Sequence, residues 1–158
     1  MPLPDQSYLA VVHEADLVEA FKEWVWLVGS EMKPLFLSLS GDLFIRDDSG
    51  ATFWIQTGCG SYERLADSVA EFETEWANDA NRANWLLKVV VDDLIGAGHV
   101  PEAGQCFGYR ILPVLGGDYH GENRALISAV EHVSFTGDLN SQIADLPDGA
   151  SVEIEVVD

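Results

Sequence analysis

The sequence is poor in basic residues and in long apolar runs. Eight lysines and arginines stand against 27 acidic residues, which gives 158 residues a formal net charge of −19. Proteins bind nucleic acids and anionic lipids through cations that neutralise phosphates, so this balance argues against direct binding to DNA, RNA or membrane surfaces. Apolar runs such as Trp24 to Val28 are far shorter than the roughly 20 residues that a membrane-spanning helix needs.

Cysteine is also scarce. Cys59 and Cys106 fit neither a disulfide framework nor the ligand spacing of a zinc site. The first residues hold no basic stretch ahead of an apolar one, so we expect no secretory leader and a cytoplasmic protein. The acidity is then explained by solubility, by adaptation to high salt or by attraction to a basic partner.

The periodicity of the apolar residues along the sequence predicts a single α+β domain over residues 1–158, with helices packed on an antiparallel sheet. An apolar face at helical spacing, ended by Gly29, predicts a first helix. That face consists of Leu17, Ala20, Phe21, Trp24, Val25 and Val28. Three short segments rich in β-forming residues, 35–39, 42–46 and 51–56, predict an antiparallel meander. Residues 47–50 are predicted to be a hairpin turn, since their resemblance to a calcium loop ends after the first few positions.

Further elements are expected after the meander. A second helix has a buried stripe formed by Leu65, Val69, Phe72 and Trp76. The remaining predicted elements are a helix over 83–95, strands over 107–115 and 126–130, a helix over 133–146 and a half-exposed strand over 151–157.

The second helix is also predicted to carry an acidic stripe. Asp67, Glu71 and Glu75 follow one another at i+4 spacing. Like charges so placed each cost an isolated helix a few tenths of a kcal/mol, so the stripe is either a solvated face or an interaction surface. Trp26 falls among charged residues of the first helix, away from its apolar face, as an interface anchor would. Alternatively, the end of that helix tucks under a loop.

Two clusters suggest chemistry, each with a plainer alternative. Asp118, His120 and Glu122 alternate as metal ligands on a strand would, but they also suit a polar loop after two glycines. Either cysteine, paired with His99 or His132, could supply a nucleophile and a base. The negative field of the chain opposes a thiolate, and Cys106 is more simply a small buried side chain.

Several blocks, taken in order, carry a family resemblance. They are Gly41-Asp42-Leu43-Phe44, Asp48-Ser49-Gly50, Ile55, Gly58 to Glu63, Leu65-Ala66-Asp67-Ser68, Glu71-Phe72, Trp85-Leu86, Gly104-Gln105-Cys106-Phe107-Gly108-Tyr109, Leu112-Pro113-Val114-Leu115-Gly116-Gly117-Asp118-Tyr119, Glu122-Asn123, His132, Gly137, Gln142-Ile143 and Leu146-Pro147-Asp148-Gly149. Over about residues 14–150 the chain resembles the bacterial domain of unknown function that forms the C-terminal part of type VI secretion DNase immunity proteins. The resemblance implies a cytoplasmic protein that binds and neutralises a toxin without catalysis.

Together these observations favour a non-catalytic protein that neutralises a basic nuclease or other toxin by stoichiometric occlusion. The expected contacts are Asp67, Glu71, Glu75 and Trp26, and no cofactor or metal is required. A small metal-dependent hydrolase using Asp118, His120 and Glu122 is the main alternative. A regulatory ligand-binding module is the other, and it would need an enclosed apolar pocket.

Overall fold

The computed structural model describes residues 5–147 and 149–151. They form an α+β fold, as predicted, in which four strands make an antiparallel sheet in the order β1-β2-β3-β4 and two more make a second sheet. The strands are β1 (Lys33–Leu37), β2 (Leu43–Arg46), β3 (Thr52–Gln56), β4 (Ser61–Ala66), β5 (Gln105–Tyr109) and β6 (Arg124–Ser128). The helices are α1 (Glu14–Phe21), α2 (Val25–Val28), α3 (Val69–Ala77), α4 (Asp79–Trp85), α5 (Lys88–Gly96) and α6 (Ala129–Ile143).

The four-stranded sheet is covered on both faces, because successive side chains of a strand point to opposite sides. On one face, Ile45 and its neighbours pack against Phe21 of α1 and against α6. On the other, Phe44 and Trp54 stack with their rings 6.3 Å apart and meet Trp76 of α3. Each large side chain fully buried in this way contributes about 1.5–3 kcal/mol to folding. The sheet is therefore the middle layer of the fold.

The first predicted helix has the expected buried face but is not continuous. Its α-helical hydrogen bonding stops at Phe21, a 3₁₀ turn spans Lys22–Trp24, and α2 adds a single turn. The segment ends at Gly29, whose φ of 92° lies in the region that favours glycine. The helix predicted over 83–95 is likewise two helices, because Leu87 has a φ of 48° between α4 and α5.

The second predicted helix starts later than the sequence pattern suggested, because residues 61–66 form a fourth strand of the meander. Leu65 belongs to this strand and not to a helical stripe. The α3 helix begins after Ser68, whose Oγ accepts a hydrogen bond from the Glu71 amide at 3.1 Å. Asp67 thus precedes the helix, and the prediction of three acids on one helical face is wrong for this residue.

The last third follows the prediction with shifted bounds. The strand expected over 107–115 ends at Tyr109, and Pro113–Leu115 form a 3₁₀ turn instead. The strand expected over 126–130 is β6, which pairs with β5, and the helix expected over 133–146 begins earlier as α6. The terminal strand expected over 151–157 lies outside the described residues except for Ser151, which is in neither a helix nor a strand.

The hairpin turn between β2 and β3 is confirmed. Asp47 Oδ1 accepts hydrogen bonds from the amides of Ser49 and Ala51 at 2.9 and 3.0 Å. A carboxylate that accepts a hydrogen bond from the backbone two residues further on stabilises a tight turn, so the acidic residue here has a structural role.

Among the described residues, no helix has the length and apolar character needed to span a bilayer.

The α6 helix lies unusually close to the 3₁₀ turn after α1. A methyl group placed on Gly137 would lie 2.7 Å from the carbonyl oxygen of Glu23 and 2.9 Å from its carbonyl carbon. Because the obstacle is backbone, it cannot move aside as a flexible side chain would. Glycine at this position therefore sets the distance between α6 and the N-terminal helices.

We expect Gly137→Ala to lower the free energy of unfolding by about 1–3 kcal/mol, since overpacking outweighs the better helix propensity of alanine. The matched control is Gly96→Ala in α5, where a methyl group meets nothing within 4 Å. The control should be neutral or stabilising. Urea denaturation of both variants checks this, and equal midpoints for the two would contradict the close packing of Gly137.

Candidate functional site

The three acidic residues predicted as contacts lie where β4 leads into α3; we call Asp67, Glu71 and Glu75 the acidic corner. The Arg64 guanidinium forms an ion pair with Asp67 at 2.6 Å, and the Glu71 carboxylate accepts a hydrogen bond from the Asp67 amide at 3.2 Å. Glu75 accepts one from the side-chain amide of Asn81 at 2.9 Å. The first two acids stand at the start of α3, where the helix dipole favours negative charge. Each carboxylate is thus held in place by a local bond.

Trp26 does not join the acidic corner. Its indole N–H donates to the carbonyl oxygen of Gly137 at 3.2 Å, and its ring stacks on Trp24 at 6.2 Å. Trp24 packs on the sheet face that α1 and α6 cover, whereas α3 covers the opposite face. The side chain is still 40% exposed and lines a cleft of about 380 Å³ together with Val114 and Leu146. Trp26 and the acids are therefore two separate surfaces.

The alternating acid-histidine cluster is a polar loop in the structure. Asp118 Oδ1 accepts a hydrogen bond from the His120 amide at 3.0 Å, while Glu122 lies in a 3₁₀ turn. Over residues 5–147 and 149–151, no three histidine, cysteine or acidic side chains are grouped so that they could hold a metal ion. Asp118, His120 and Glu122 therefore do not form, within the described part of the chain, the ligand set that a metal-dependent hydrolase would require.

The pairing of Cys106 with His132 as nucleophile and base is not supported either. Burial raises the pKa of the Cys106 thiol to about 12, so the reactive thiolate is disfavoured. Burial also lowers the pKa of His132 to about 4. Its Nε2 lies 3.1 Å from the carbonyl oxygen of Gly41 and 2.9 Å from Thr57 Oγ1. Because a carbonyl only accepts, Nε2 carries the proton and the imidazole acts as a structural donor.

His132 belongs to a buried polar network that the sequence analysis missed. Asp42, which is 3% exposed, accepts hydrogen bonds from the indole N–H of Trp54 at 3.0 Å and from the Thr57 amide at 3.2 Å. Asn140 of α6 donates to the Thr57 carbonyl oxygen at 3.1 Å. Burial raises the pKa of Asp42 to about 6, and these hydrogen bonds oppose the rise.

Arg124 completes this network from the second sheet. Its guanidinium lies 3.9 Å above the centre of the Tyr109 ring and donates to the carbonyl oxygens of Phe107, at 3.0 Å, and of Ser40. The side chain is 4% exposed, and its charge lowers the pKa of both Asp42 and His132 relative to burial alone. Asp42, Tyr109 and His132 fall in the blocks that carry the resemblance, whereas Arg124, Thr57 and Asn140 do not. Sequence spacing gives no indication that these residues meet.

A second cleft, of about 800 Å³, lies between α5 and the loop before β6. His99, Arg110, His120 and Arg124 are among its lining residues, together with Asp93, Glu122 and the apolar side chains of α5. The lining combines both signs of charge and is not the enclosed apolar pocket that a ligand-binding module would need.

The comparison with protein families bears on the part of the chain that contains the acidic corner. Residues 66–140 match a protein-family model. The family is that of the T6SS immunity protein Tdi1, C-terminal. The resemblance expected from the sequence is thereby confirmed over these residues, and the Tdi1 match supports an immunity role in type VI secretion. It includes all three acids and β5, β6 and most of α6, but not Trp26.

The fold is also similar to a solved structure. The crystal structure of Atu4351 from Agrobacterium tumefaciens aligns with a TM-score of 0.53 and 13% identity, over 85% of this chain and 68% of that one. At this identity the similarity establishes a shared fold. The comparison with curated proteins gave no match.

The buried imidazole predicts a pH effect. His132 has a lower pKa folded than unfolded, so its stabilising effect is present above pH 6.5 and is lost as the pH falls towards 4. In His132→Gln, an amide donor to Gly41 remains but the titrating group is gone. Between pH 7 and pH 5, we expect the stability of this variant to rise relative to wild type by about 2 kcal/mol.

Denaturant titrations across this pH range measure the difference. The control is His99→Gln, which removes an exposed imidazole and should follow the wild-type curve. If His132→Gln and wild type run parallel, then the imidazole is not a buried neutral group.

Proposed function

We propose that this protein is a cytoplasmic immunity protein that neutralises a cognate type VI secretion toxin by stoichiometric binding, without catalysis. The observation that supports it most is the match of residues 66–140 to the Tdi1 C-terminal family. We further propose that the immunity domain extends over residues 1–158, because the two sheets share a buried polar network and α6 packs on the N-terminal helices.

The charge of the chain suggests the chemistry of the toxin surface. A nuclease must present a cationic groove to its substrate, and a protein of net charge −19 is attracted to such a groove. Long-range attraction of this kind raises association rates by about 10–1,000-fold at low salt. The proposed inhibition is steric: the acidic corner lies in the groove where nucleic acid phosphates would bind.

The acidic corner is suited to this contact because its carboxylates are preorganised. Asp67 and Glu71 are exposed, yet both are fixed by bonds to the β4–α3 connection. Side chains that are already ordered lose less conformational entropy on binding. Trp26, on the other face of the sheet, is proposed as a second contact that a large or wrapping partner would reach.

The proposed function is tested by co-expression with the toxin encoded by the neighbouring gene. We expect growth of cells producing the active toxin to be restored by this protein, and the purified pair to elute as an equimolar complex. Loss of toxicity without a stable complex would contradict stoichiometric occlusion, and so would substoichiometric protection.

The role of the acidic corner is tested with a triple variant, Asp67→Asn, Glu71→Gln and Glu75→Gln. These changes remove three charges and keep an oxygen acceptor at each site. We expect the association rate with the toxin at low salt to fall by about tenfold, since electrostatic steering acts mainly on association. Stopped-flow or surface-plasmon kinetics at several salt concentrations provide the measurement.

The matched control removes three charges from the opposite layer, with Glu14→Gln, Asp16→Asn and Glu19→Gln in α1. It alters net charge equally and also affects the first turn of a helix. The control should retain most of the wild-type rate. If both triples slow association to the same extent, then net charge alone is responsible and the acidic corner has no special role.

A further inference from the structure

The β4 strand forms an open edge of the four-stranded sheet. It is the last strand in the order β1-β2-β3-β4, and within residues 5–147 and 149–151 no strand pairs with its outer side. Residues 61–64 are all exposed. An edge of this kind presents unpaired backbone donors and acceptors to which another strand can bind.

The register identifies which backbone groups are unpaired. Across the β2–β3 turn, the Asp47 amide donates to the carbonyl oxygen of Ala51 at 3.0 Å. Because the pairing alternates along an antiparallel ladder, the backbone N–H and C=O groups of odd-numbered β3 residues point towards β2, and those of even-numbered residues point towards β4. Trp54 and Gln56 therefore bond to their partners in β4, which are Glu63 and Ser61.

The residues of β4 that alternate with these are Tyr62 and Arg64. Their backbone N–H and C=O groups point away from β3, towards the open side of the sheet. The only irregularity in the β3–β4 register is the extra residue Leu65, beyond this stretch. Tyr62 is 45% exposed and its ring lies 6.0 Å from that of Phe53. The strand contains neither proline nor lysine, residues that commonly block sheet edges.

We propose that the outer edge of β4 binds an extended basic segment of the toxin as a fifth strand; this rests on the proposed function and specifies its contact. Main-chain hydrogen bonds to Tyr62 and Arg64 would supply affinity, as in other cases of strand addition. The acidic corner continues from the end of β4 and attracts the cations of the incoming segment, while the charge of Arg64 is paired with Asp67. A second copy of this chain is a poor occupant, because two molecules of net charge −19 repel each other.

Proline tests the backbone contribution separately from the side chain. Tyr62→Pro and Arg64→Pro each remove an outward N–H and leave the bonds to β3 in place, so they are compared with Tyr62→Ala and Arg64→Ala. The probe is the toxin of the neighbouring gene with its catalytic residue replaced. We expect each proline variant to bind about tenfold more weakly than its alanine counterpart.

A fold control distinguishes the two sides of the strand. Glu63→Pro removes an N–H that bonds to Trp54, so it should lower the melting temperature clearly more than either outward proline. Equal losses at 62, 63 and 64 would overturn the assignment of the open groups. Light scattering of the free protein adds a check, since a dimer abolished by Tyr62→Pro would show that a second copy occupies the edge and would overturn the proposal.

The outcomes for the edge and for the function are separable. If wild type binds the toxin and each proline variant binds as well as its alanine counterpart, strand addition is wrong while the immunity role stands. If wild type does not bind the toxin at all, the proposed function fails and the strand-addition proposal fails with it. A selective loss in the proline variants, with melting temperatures preserved, supports both.

Discussion

The buried guanidinium of Arg124 is the interaction on which the rest of the fold depends. It originates in β6, stacks on a tyrosine of β5, and donates to a carbonyl in the turn between β1 and β2. A buried charge is costly unless it is hydrogen-bonded, so the turn must hold the Ser40 carbonyl oxygen towards this side chain. The guanidinium is only partly satisfied, because its Nε is buried and has no hydrogen-bond partner among the described residues. Asp42 and His132 then fix the same turn to Thr57 and α6. The two sheets are joined through polar contacts as well as through apolar ones.

This arrangement separates the outer surfaces of the molecule. Because the middle sheet is covered on both sides, the acidic corner and Trp26 are held on different layers and cannot share one small epitope. A partner that touches both must extend around the edge of the sheet. A contact that begins at the β4–α3 connection would therefore have to be extended to reach Trp26, which lies at the α2–α6 surface.

Much of the fold could be predicted because its determinants are local. The apolar face of α1, the first three strands and the Asp47 turn all follow from periodicity and turn chemistry over a few residues. The fourth strand was missed because Ser61–Ala66 is short and exposed on most of its length, so it lacks the alternation of a half-buried strand. A local signal did exist: Ser68 followed three residues later by Glu71 is a capping box, and it marks the start of α3.

The interior polar contacts lay beyond sequence reasoning, since residues far apart in the chain meet only once the sheets are assembled. One consequence concerns tolerance of acid. As the pH falls below neutrality, His132 destabilises the folded state, because its imidazole takes up a proton more readily in the unfolded chain. Asp42 stabilises the folded state, because its carboxylate takes up a proton more readily in the folded chain. The two effects have opposite sign over nearly the same interval. An interior that contains one group of each kind is therefore buffered, in that the stability lost at His132 on moderate acidification is largely regained at Asp42.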